Sequence, residues 1–524
     1  MNYRKYVQTS QMPQGEPVIG MNQVENNAGG FVFALDIWKR LDRFLVLGSE
    51  GGTYYVGEKE LTQDNAKSIL DCIKSDGVRV VNRIIEISEA GRAHKNDPAL
   101  FALAMCAGLG NANTKKFALQ ALPKVARIGT HLFHFAEYVS GFRGWGRGLR
   151  STIAKWYNSK EINDLAYQCI KYQQRDGWSN RDLLRRAHPV AKEEKRNNLY
   201  KWIVGKASTD TKLPKLIEAF EEAKIAEDND TIIGLIQAGL PRESIPTKWL
   251  NEVSVWDALL QNMPLTALIR NLGKMTNVGL LKPMSRAVEF VGKKLSDKDY
   301  IKKSRLHPLA ILIALKQYEA GCGDKGKLTW EPVTKIVDAL DACFYLSFDT
   351  VEPTGKRIML ALDVSSSMDT SFGGTNVSCC EGASAMALVT SKSESNYMIT
   401  RFNNGIETIP MSPRQRLDDV LRYTSRINSG GTDCALPMLY AGQMKIDIDS
   451  FVVYTDCETW AGNIHPFQAL QKYRREMGIN AKLIVVGMTS TGFTIANPND
   501  AGMMDVVGFD SATPQVIADF IKNN

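Results

Sequence analysis

Paired cysteines are missing from this sequence. Its nine cysteines, at positions 72, 106, 169, 322, 343, 379, 380, 434 and 457, are odd in number and form no Cys-x-x-Cys pair. A zinc cluster built on short repeated spacings is therefore excluded, and the scatter is that of small buried hydrophobes in a reducing compartment. Long apolar runs are missing too. None approaches the roughly 18 residues needed to span a bilayer, and residues 1–20 are polar, with no apolar leader core. Neither secretion nor a membrane is called for, and a cytoplasmic protein is expected. There is also no Walker loop, no His-Glu-x-x-His and no carboxylate pair with a base. Catalysis lacks a carrier, and a non-enzymatic protein is expected.

What is present divides in two. At 524 residues the chain exceeds a single hydrophobic core. Residues 351–524 hold 14 Lys and Arg against 18 Asp and Glu, whereas residues 1–350 hold 50 against 39. The overall net charge of +7 thus averages two unlike parts, −4 and +11. Within the first part, residues 141–210 alone carry 15 basic and 7 acidic side chains. Concentrated positive charge is the electrostatic footprint of a polyanion binder, although Lys-rich helix faces are usually just solvated.

From about 61 to 348 apolar residues recur at three- and four-residue spacing, which predicts helix after helix. Segments 66–73, 81–87, 99–107 and 114–128 are separated by Gly77, Gly91, Pro98 and the 108–113 stretch. Further helices are predicted at 183–187, 213–226, 231–238, 256–260, 265–272, 287–295, 308–319 and 333–346. Strand-like alternation is nearly absent. Such a run suggests an α-solenoid, in which neighbouring helix pairs bury one another's apolar faces, though no clean sequence period accompanies it.

The pattern changes at Glu352-Pro353-Thr354-Gly355, and we divide the chain there into 1–354 and 355–524. Apolar strands are predicted at 357–363, 396–402, 450–455 and 482–486, and helices at 381–391, 414–426, 436–444, 466–477 and 513–522. Strand and helix in alternation predict an α/β doubly wound, mainly parallel sheet, which binds ligands beyond the carboxyl ends of its strands. One such end carries Asp363-Val-Ser365-Ser-Ser367. Thr432 in Gly-Gly-Thr-Asp and Asp456 at the end of Phe-Val-Val-Tyr-Thr-Asp stand at comparable places. These five offer hard oxygens suited to magnesium, calcium or manganese rather than zinc or copper. With only two carboxylates the ion would keep residual charge for an acidic group of a partner. Taken alone, a Ser-rich loop could equally cap the next helix.

Asp363-Val-Ser-Ser-Ser-Met368, Gly-Gly-Thr432 and Thr-Asp456 resemble the metal-ion-dependent adhesion site (MIDAS) of von Willebrand factor A domains. The resemblance implies a ligand-binding rather than catalytic domain and a divalent cation, Mg2+ foremost. Segments Gly48-Ser-Glu-Gly-Gly-Thr-Tyr-Tyr55, Met263-Pro-Leu-Thr-Ala-Leu-Ile-Arg-Asn-Leu-Gly-Lys-Met275, Val351-Glu-Pro-Thr-Gly-Lys-Arg357 and Gly487-Met-Thr-Ser-Thr-Gly-Phe-Thr-Ile-Ala496 resemble the Ro autoantigen family. Its helical part is called the TROVE domain, so the likeness spans essentially the whole chain. It implies a ring of HEAT-like helical repeats closed next to the A domain. It further implies a monomeric protein in a ribonucleoprotein, with Y RNA-like noncoding RNA outside the ring. Single-stranded 3′ ends of misfolded or aberrant RNA would enter the hole, for quality control or decay. Bacterial relatives imply an exoribonuclease partner, polynucleotide phosphorylase.

The basic cluster fits that expectation. Lys171, Arg175, Trp178, Arg181, Arg185 and His188 fall within eighteen residues, with Arg147 and Arg150 upstream. Lys and Arg neutralise phosphates, and Trp, His and Arg planes can stack on unpaired bases. Helical spacing pairs Lys171 with Arg175 and Arg181 with Arg185. By resemblance Lys171, Arg175 and His188 match positions linked to RNA binding, whereas residues 189–196 depart from the family pattern. Trp145 and Trp178 are more often packing residues than stacking platforms, and His131 and His134 suit a core helix better than a metal pair. The competing reading is a metal-dependent protein-interaction scaffold without RNA.

Overall fold

The computed structural model describes residues 11–323, 327–348, 351–417, 419–420 and 430–523. Two short strands, β1 (Val24–Glu25) and β2 (Phe31–Ala34), come first, followed by seventeen α-helices between Ile37 and Leu346 among the described residues. The helices stack largely on their sequence neighbours. Glu58–Ala90 packs on Asp97–Leu109 and Ala112–Val125, Asp97–Leu109 on Gly129–Phe142, and the run continues through Asn229–Gln237 on Val253–Asn262 to Pro308–Ala320 on Thr334–Leu346. This is the solenoid arrangement, with one continuous core shared between neighbours. Each helical segment predicted between 61 and 348 has a helix over most of it, although that at 114–128 ends at Val125 and those at 66–73 and 81–87 share one helix. The long second helix bends at Asp76, whose φ of −156° leaves the helical region. Its carboxylate accepts from the Arg79 N–H at 3.0 Å, capping the continuation. Gly77 lies beside this break and meets Thr114 so closely that a Cβ would stand 2.4 Å from its Oγ1.

The solenoid comes round on itself. Arg92, at the end of the second helix, bonds through its carbonyl to His307 at 3.0 Å, 215 residues on. Gly91 likewise faces Arg305. This long-range contact, which local periodicity could not supply, closes the HEAT-like ring.

A two-residue hairpin interrupts the helices. β3 (Gln174–Arg175) pairs with β4 (Trp178–Ser179) across Asp176 and Gly177, both at positive φ. Asp-Gly is the sequence preferred for a tight turn whose twist suits an antiparallel pair.

The C-terminal region forms a six-stranded sheet from β5 (Ile358–Asp363), β6 (Tyr397–Phe402), β7 (Ile406–Thr408), β8 (Ser450–Thr455), β9 (Lys482–Gly487) and β11 (Met503–Val507), in the order β11-β9-β8-β5-β6-β7. All pairings are parallel except β6 with β7. Its central strands are buried on both faces, which explains their unbroken apolar sequence. Alternate residues feed two cores: Leu360, Leu362, Val452 and Ile484 join the core of the helical region, while Met359, Ala361, Phe451 and Leu483 face helices Leu436–Gln443 and Pro466–Met477. The predicted helix at 414–426 lies mostly outside the described residues. Strand β11 has no counterpart in the sequence reading, because Asp505 in its middle breaks the apolar run. That carboxylate is buried against Arg43 of helix Ile37–Leu47 at 2.5 Å.

Residues 11–34 pack on this sheet domain rather than on the solenoid. β2 pairs with both β1 and β10 (Phe493–Thr494), and Val18, Val32 and Phe33 enter the second core.

Candidate metal centre and nucleic-acid interface

Strand order fixes the position of the first site. β5 leads to β6 on one side, and the chain then returns to place β8 on the other, so the sheet reverses direction between β5 and β8. Loops diverge at such a switch point and leave a crevice beyond the strand ends. Asp363 ends β5 and Asp456 follows β8; both are fully buried.

The loop after β5 turns sharply because Asp363 Oδ1 accepts the Ser365 N–H at 2.9 Å. A 3-10 turn at Ser366–Asp369 then brings Ser367 Oγ within 3.2 Å of Ser365 Oγ. Thr455 donates to Asp363 Oδ2 at 2.6 Å across the strand pair. Asp456 Oδ1 accepts the Glu458 N–H at 3.1 Å and is bonded by Ser367. Thr432, also buried, holds Trp460 and Ala461 by its carbonyl, each at 3.0 Å, which ties its loop to the segment after Asp456. Burial first, and then the Asp456 charge, push Asp363 up to about 7. Burial also raises Asp456. Two carboxylates held in a water-poor crevice beside three hydroxyls are costly by themselves and suit a hard divalent cation. Among the described residues no cluster of three or more His, Cys, Asp or Glu is found, so hydroxyl oxygens would complete any such donor set.

Three neighbours of this site were not singled out in the sequence. Tyr55 lies in the field of Asp456, Glu458 and Asp363, and burial followed by those charges pushes it up to about 12. Glu458, pushed to about 8 by burial and then by Asp456, accepts from Asn27 Nδ2 at 2.6 Å and the Ala28 N–H at 3.2 Å. Gln14 is fully buried and donates to Asp433 Oδ1 at 2.7 Å and to the Ile464 carbonyl. Tyr55 belongs to one of the family-like segments, whereas nothing local marks residues 14 and 27. The His465 ring bonds Gln23 and the Glu16 carbonyl, fastening the N-terminal arm.

The basic residues assemble differently. Lys171 is the last residue of helix Ile162–Lys171, half-buried, and donates to Tyr167 Oη at 3.1 Å. Arg175 is in the hairpin, its side chain 62 % exposed. Arg181 and Arg185 lie exposed one turn apart on helix Asn180–Ala187, which a Ser179–Asp182 capping box starts. His188 ends that helix in the left-handed conformation, φ 47°, and is exposed before Pro189. Arg147 and Arg150 are exposed on Arg147–Ser159. The structure thus places all eight singled-out side chains wholly or partly in solvent without a buried ion pair, on consecutive elements.

Trp178 differs in being held by packing. Its ring stacks on Trp145 at 5.2 Å and 30°, Arg186 lies over both rings, and its N–H is taken by Glu137 at 2.9 Å. His134 bonds Asp176, which braces the hairpin turn from helix Gly129–Phe142, and His131 meets Asn96. Both are structural, in keeping with their apolar helix.

Comparison with known proteins agrees with this two-part architecture. Residues 24–237 and 236–317 match the TROVE domain, and residues 357–521 match the Ro60 vWA domain. A Deinococcus radiodurans protein named RNA-binding protein RO60 is 40% identical, the alignment covering 95% of each chain. The Caenorhabditis elegans protein of the same name is 37% identical over 95% of this chain and 90% of its own length. The crystal structure of the Deinococcus radiodurans RO (RSR) protein superposes with a TM-score of 0.70 at 38% identity, covering 93% of this chain and 99% of that one. With a TROVE match over more than half its length and such relatives over nearly all of it, this chain belongs to the Ro60 family.

Proposed function

We propose that this protein binds small noncoding RNA, Y RNA-like molecules on its outer basic surface and single-stranded 3′ ends of misfolded RNA, as part of RNA quality control. The observation that carries this reading is the run of cations from Arg147 to His188, wholly or partly in solvent on a closed ring, of which Arg175 alone among the named residues meets a carboxylate, Asp176 at 3.7 Å. Cations placed in this way neutralise phosphates by releasing counterions, so affinity falls steeply with salt. Relatives named RNA-binding protein RO60 support it.

The A domain adds a cation site. In this proposal Asp363, Ser365, Ser367, Thr432 and Asp456 hold Mg2+, which supplies a Lewis-acidic position for an acidic group of a partner protein. An exoribonuclease that degrades the held RNA is a partner of that kind. In this proposal the hydroxyls of Ser367 and Thr455 serve to orient the two carboxylates for the cation, and the protein acts by binding. No described helix is long and apolar enough to cross a membrane, and all nine cysteines are free, eight of them buried. These features favour a reducing, cytoplasmic setting.

The decisive test compares a structured RNA bearing a free 3′ tail with its blunt counterpart across a salt series, for wild type and Lys171→Ala/Arg175→Ala. Tail-dependent, salt-sensitive binding that the double substitution weakens is expected. Equal, non-specific binding by both proteins would reject the reading in favour of a protein-only scaffold.

A further inference from the structure

A cavity of about 340 Å3 lies between helices Leu265–Asn277 and Pro308–Ala320, at the low end of the roughly 300–1,000 Å3 that small-molecule sites occupy. Arg242, Arg270 and Lys274 line it, and no carboxylate does so among the described residues. Asn271 and Gln317 add amides, and Trp330 an indole. The hollow thus combines three cations, no acid among its described lining residues, and an aromatic wall.

Asn271 Nδ2 is already spent on the Ala267 carbonyl at 2.7 Å, but the other polar groups are prepared. Arg242 Nε is shielded from solvent and has no hydrogen-bond partner, although buried donors are nearly always paired. The guanidinium lies over the Trp256 ring, 5.8 Å from its centroid, which fixes its position. Neither Arg270 nor Gln317 has a side-chain hydrogen bond or ion pair among the described residues. Lys274 meets only a neutral oxygen, Asn251 Oδ1 at 2.9 Å. The Trp330 N–H is already satisfied by the Tyr318 carbonyl at 2.9 Å. A residue without a side chain, Gly273, lets helix Leu265–Asn277 press against the Trp330 ring, where a Cβ would stand at 2.7 Å. The indole, also stacked on Tyr318 at 6.1 Å and 22°, is therefore held rigid, and what it offers the cavity is its remaining ring surface rather than a donor. Arg242 and Asn271 also line a smaller neighbouring cavity whose opposite wall carries Lys171 and Tyr167. The pocket consequently adjoins the basic surface to which RNA binding is assigned above.

We propose that this cavity, bounded by Arg242, Arg270, Asn271, Lys274, Gln317 and Trp330, is a nucleotide subsite. It seats one unpaired nucleotide, with the phosphate on the guanidinium and ammonium groups and the base against the remaining surface of Trp330, within reach of the Gln317 amide and Asn271 Oδ1. Charge-assisted bonds suit the phosphate, and stacking tolerates any base. The proposal deepens the RNA reading and rests on it. The nucleotide can come from an RNA strand or from a free mononucleotide.

The test uses the full-length protein with two probes, uridine 5′-monophosphate and a short oligouridylate carrying one 4-thiouridine. Affinities are measured by tryptophan fluorescence, and photo-crosslinks are mapped on wild type, so one readout needs no variant. Expected are a crosslink within 317–330 and about tenfold or greater loss of affinity in Arg270→Gln/Lys274→Gln, with an unchanged melting temperature. Binding of the oligonucleotide alone marks a subsite for RNA; binding of both probes marks one open to free nucleotide. Should the crosslink fall elsewhere and the variant keep wild-type affinity while Lys171→Ala/Arg175→Ala still weakens the oligonucleotide, the subsite is refuted and the RNA reading stands. Absence of oligonucleotide binding altogether would remove both.

Discussion

His307 Nε2 donates to the Arg92 carbonyl while its Nδ1 accepts the Leu309 N–H at 3.2 Å, so one neutral imidazole joins the two ends of the helical ring. Arg92 in turn grips Asp510 of the A domain through Nε at 2.9 Å and Nη2 at 2.5 Å. Ring closure and domain docking thus share a few side chains.

Acid should loosen this junction. Burial holds His307 down to about 4. Burial, and secondarily nearby cations and His307, bring His94 to about 3, and burial brings His131 to about 3. The unfolded chain titrates near 6.5, so between that value and 4 it binds protons that the folded state refuses. The contribution of these histidines should be full above about pH 6.5, decline as pH falls towards 4 and level off below the folded values, opposed by Asp363 and Glu458, whose raised values add stability as pH falls. Urea denaturation at a series of pH values measures this, and His307→Gln should flatten the slope.

Removing the cation of the Arg92–Asp510 pair leaves the carboxylate uncompensated. Asp510 is 2 % exposed, so Arg92→Ala, which strands it, should cost about 3 kcal/mol, more than Asp510→Ala, after which Arg92 keeps Glu86 at 3.7 Å. The same reasoning applies to Arg43→Ala, which abandons Asp505 in strand β11. Thermal and denaturant unfolding of these variants check this, and an effect of the arginine variants below 1 kcal/mol would mean that water replaces the lost partner.

At the A-domain crevice the sign reverses. Asp363→Asn removes a buried negative charge beside Asp456 and should raise the stability of the chelator-treated protein, by on the order of 1 kcal/mol. Added Mg2+ should stabilise wild type by about 2.7 kcal/mol at a hundred times its dissociation constant and leave the variant unchanged. Melting curves with and without Mg2+ separate the two effects.

Gly77→Ala should destabilise by about 1–3 kcal/mol, although alanine is the better helix former. The added methyl would meet Thr114 Oγ1 and Cγ2 at 2.4 and 2.5 Å. Combining it with Thr114→Ser, which removes Cγ2, should recover part of the loss.

Much of the A-domain site was legible because its key residues are contiguous or end apolar strands: Asp363, Ser365 and Ser367 occupy one five-residue stretch. The contributions of Tyr55, Asn27 and Gln14 were not, since they arrive from segments hundreds of residues away in the chain. The pairing of Trp178 with Trp145 and Arg186 was equally hidden: spacing can say that an indole stands among cations, but not which face of it is covered. Arg43 looks like any solvated helix residue until Asp505 is opposite.

By itself the sequence determined the elements and their types. Periodicity of three to four residues commits 61–348 to helices, unbroken apolar runs commit four strands to a buried parallel sheet, and charge separates a basic part from an acidic one. These are local consequences of side-chain spacing and solvent. The tertiary structure alone decided closure of the ring at Arg92 and His307, the seating of residues 11–34 on the A domain, the burial of Asp505 and the cavity around Arg242. Each depends on contacts between distant segments, whose free energy exists only once the intervening chain has folded.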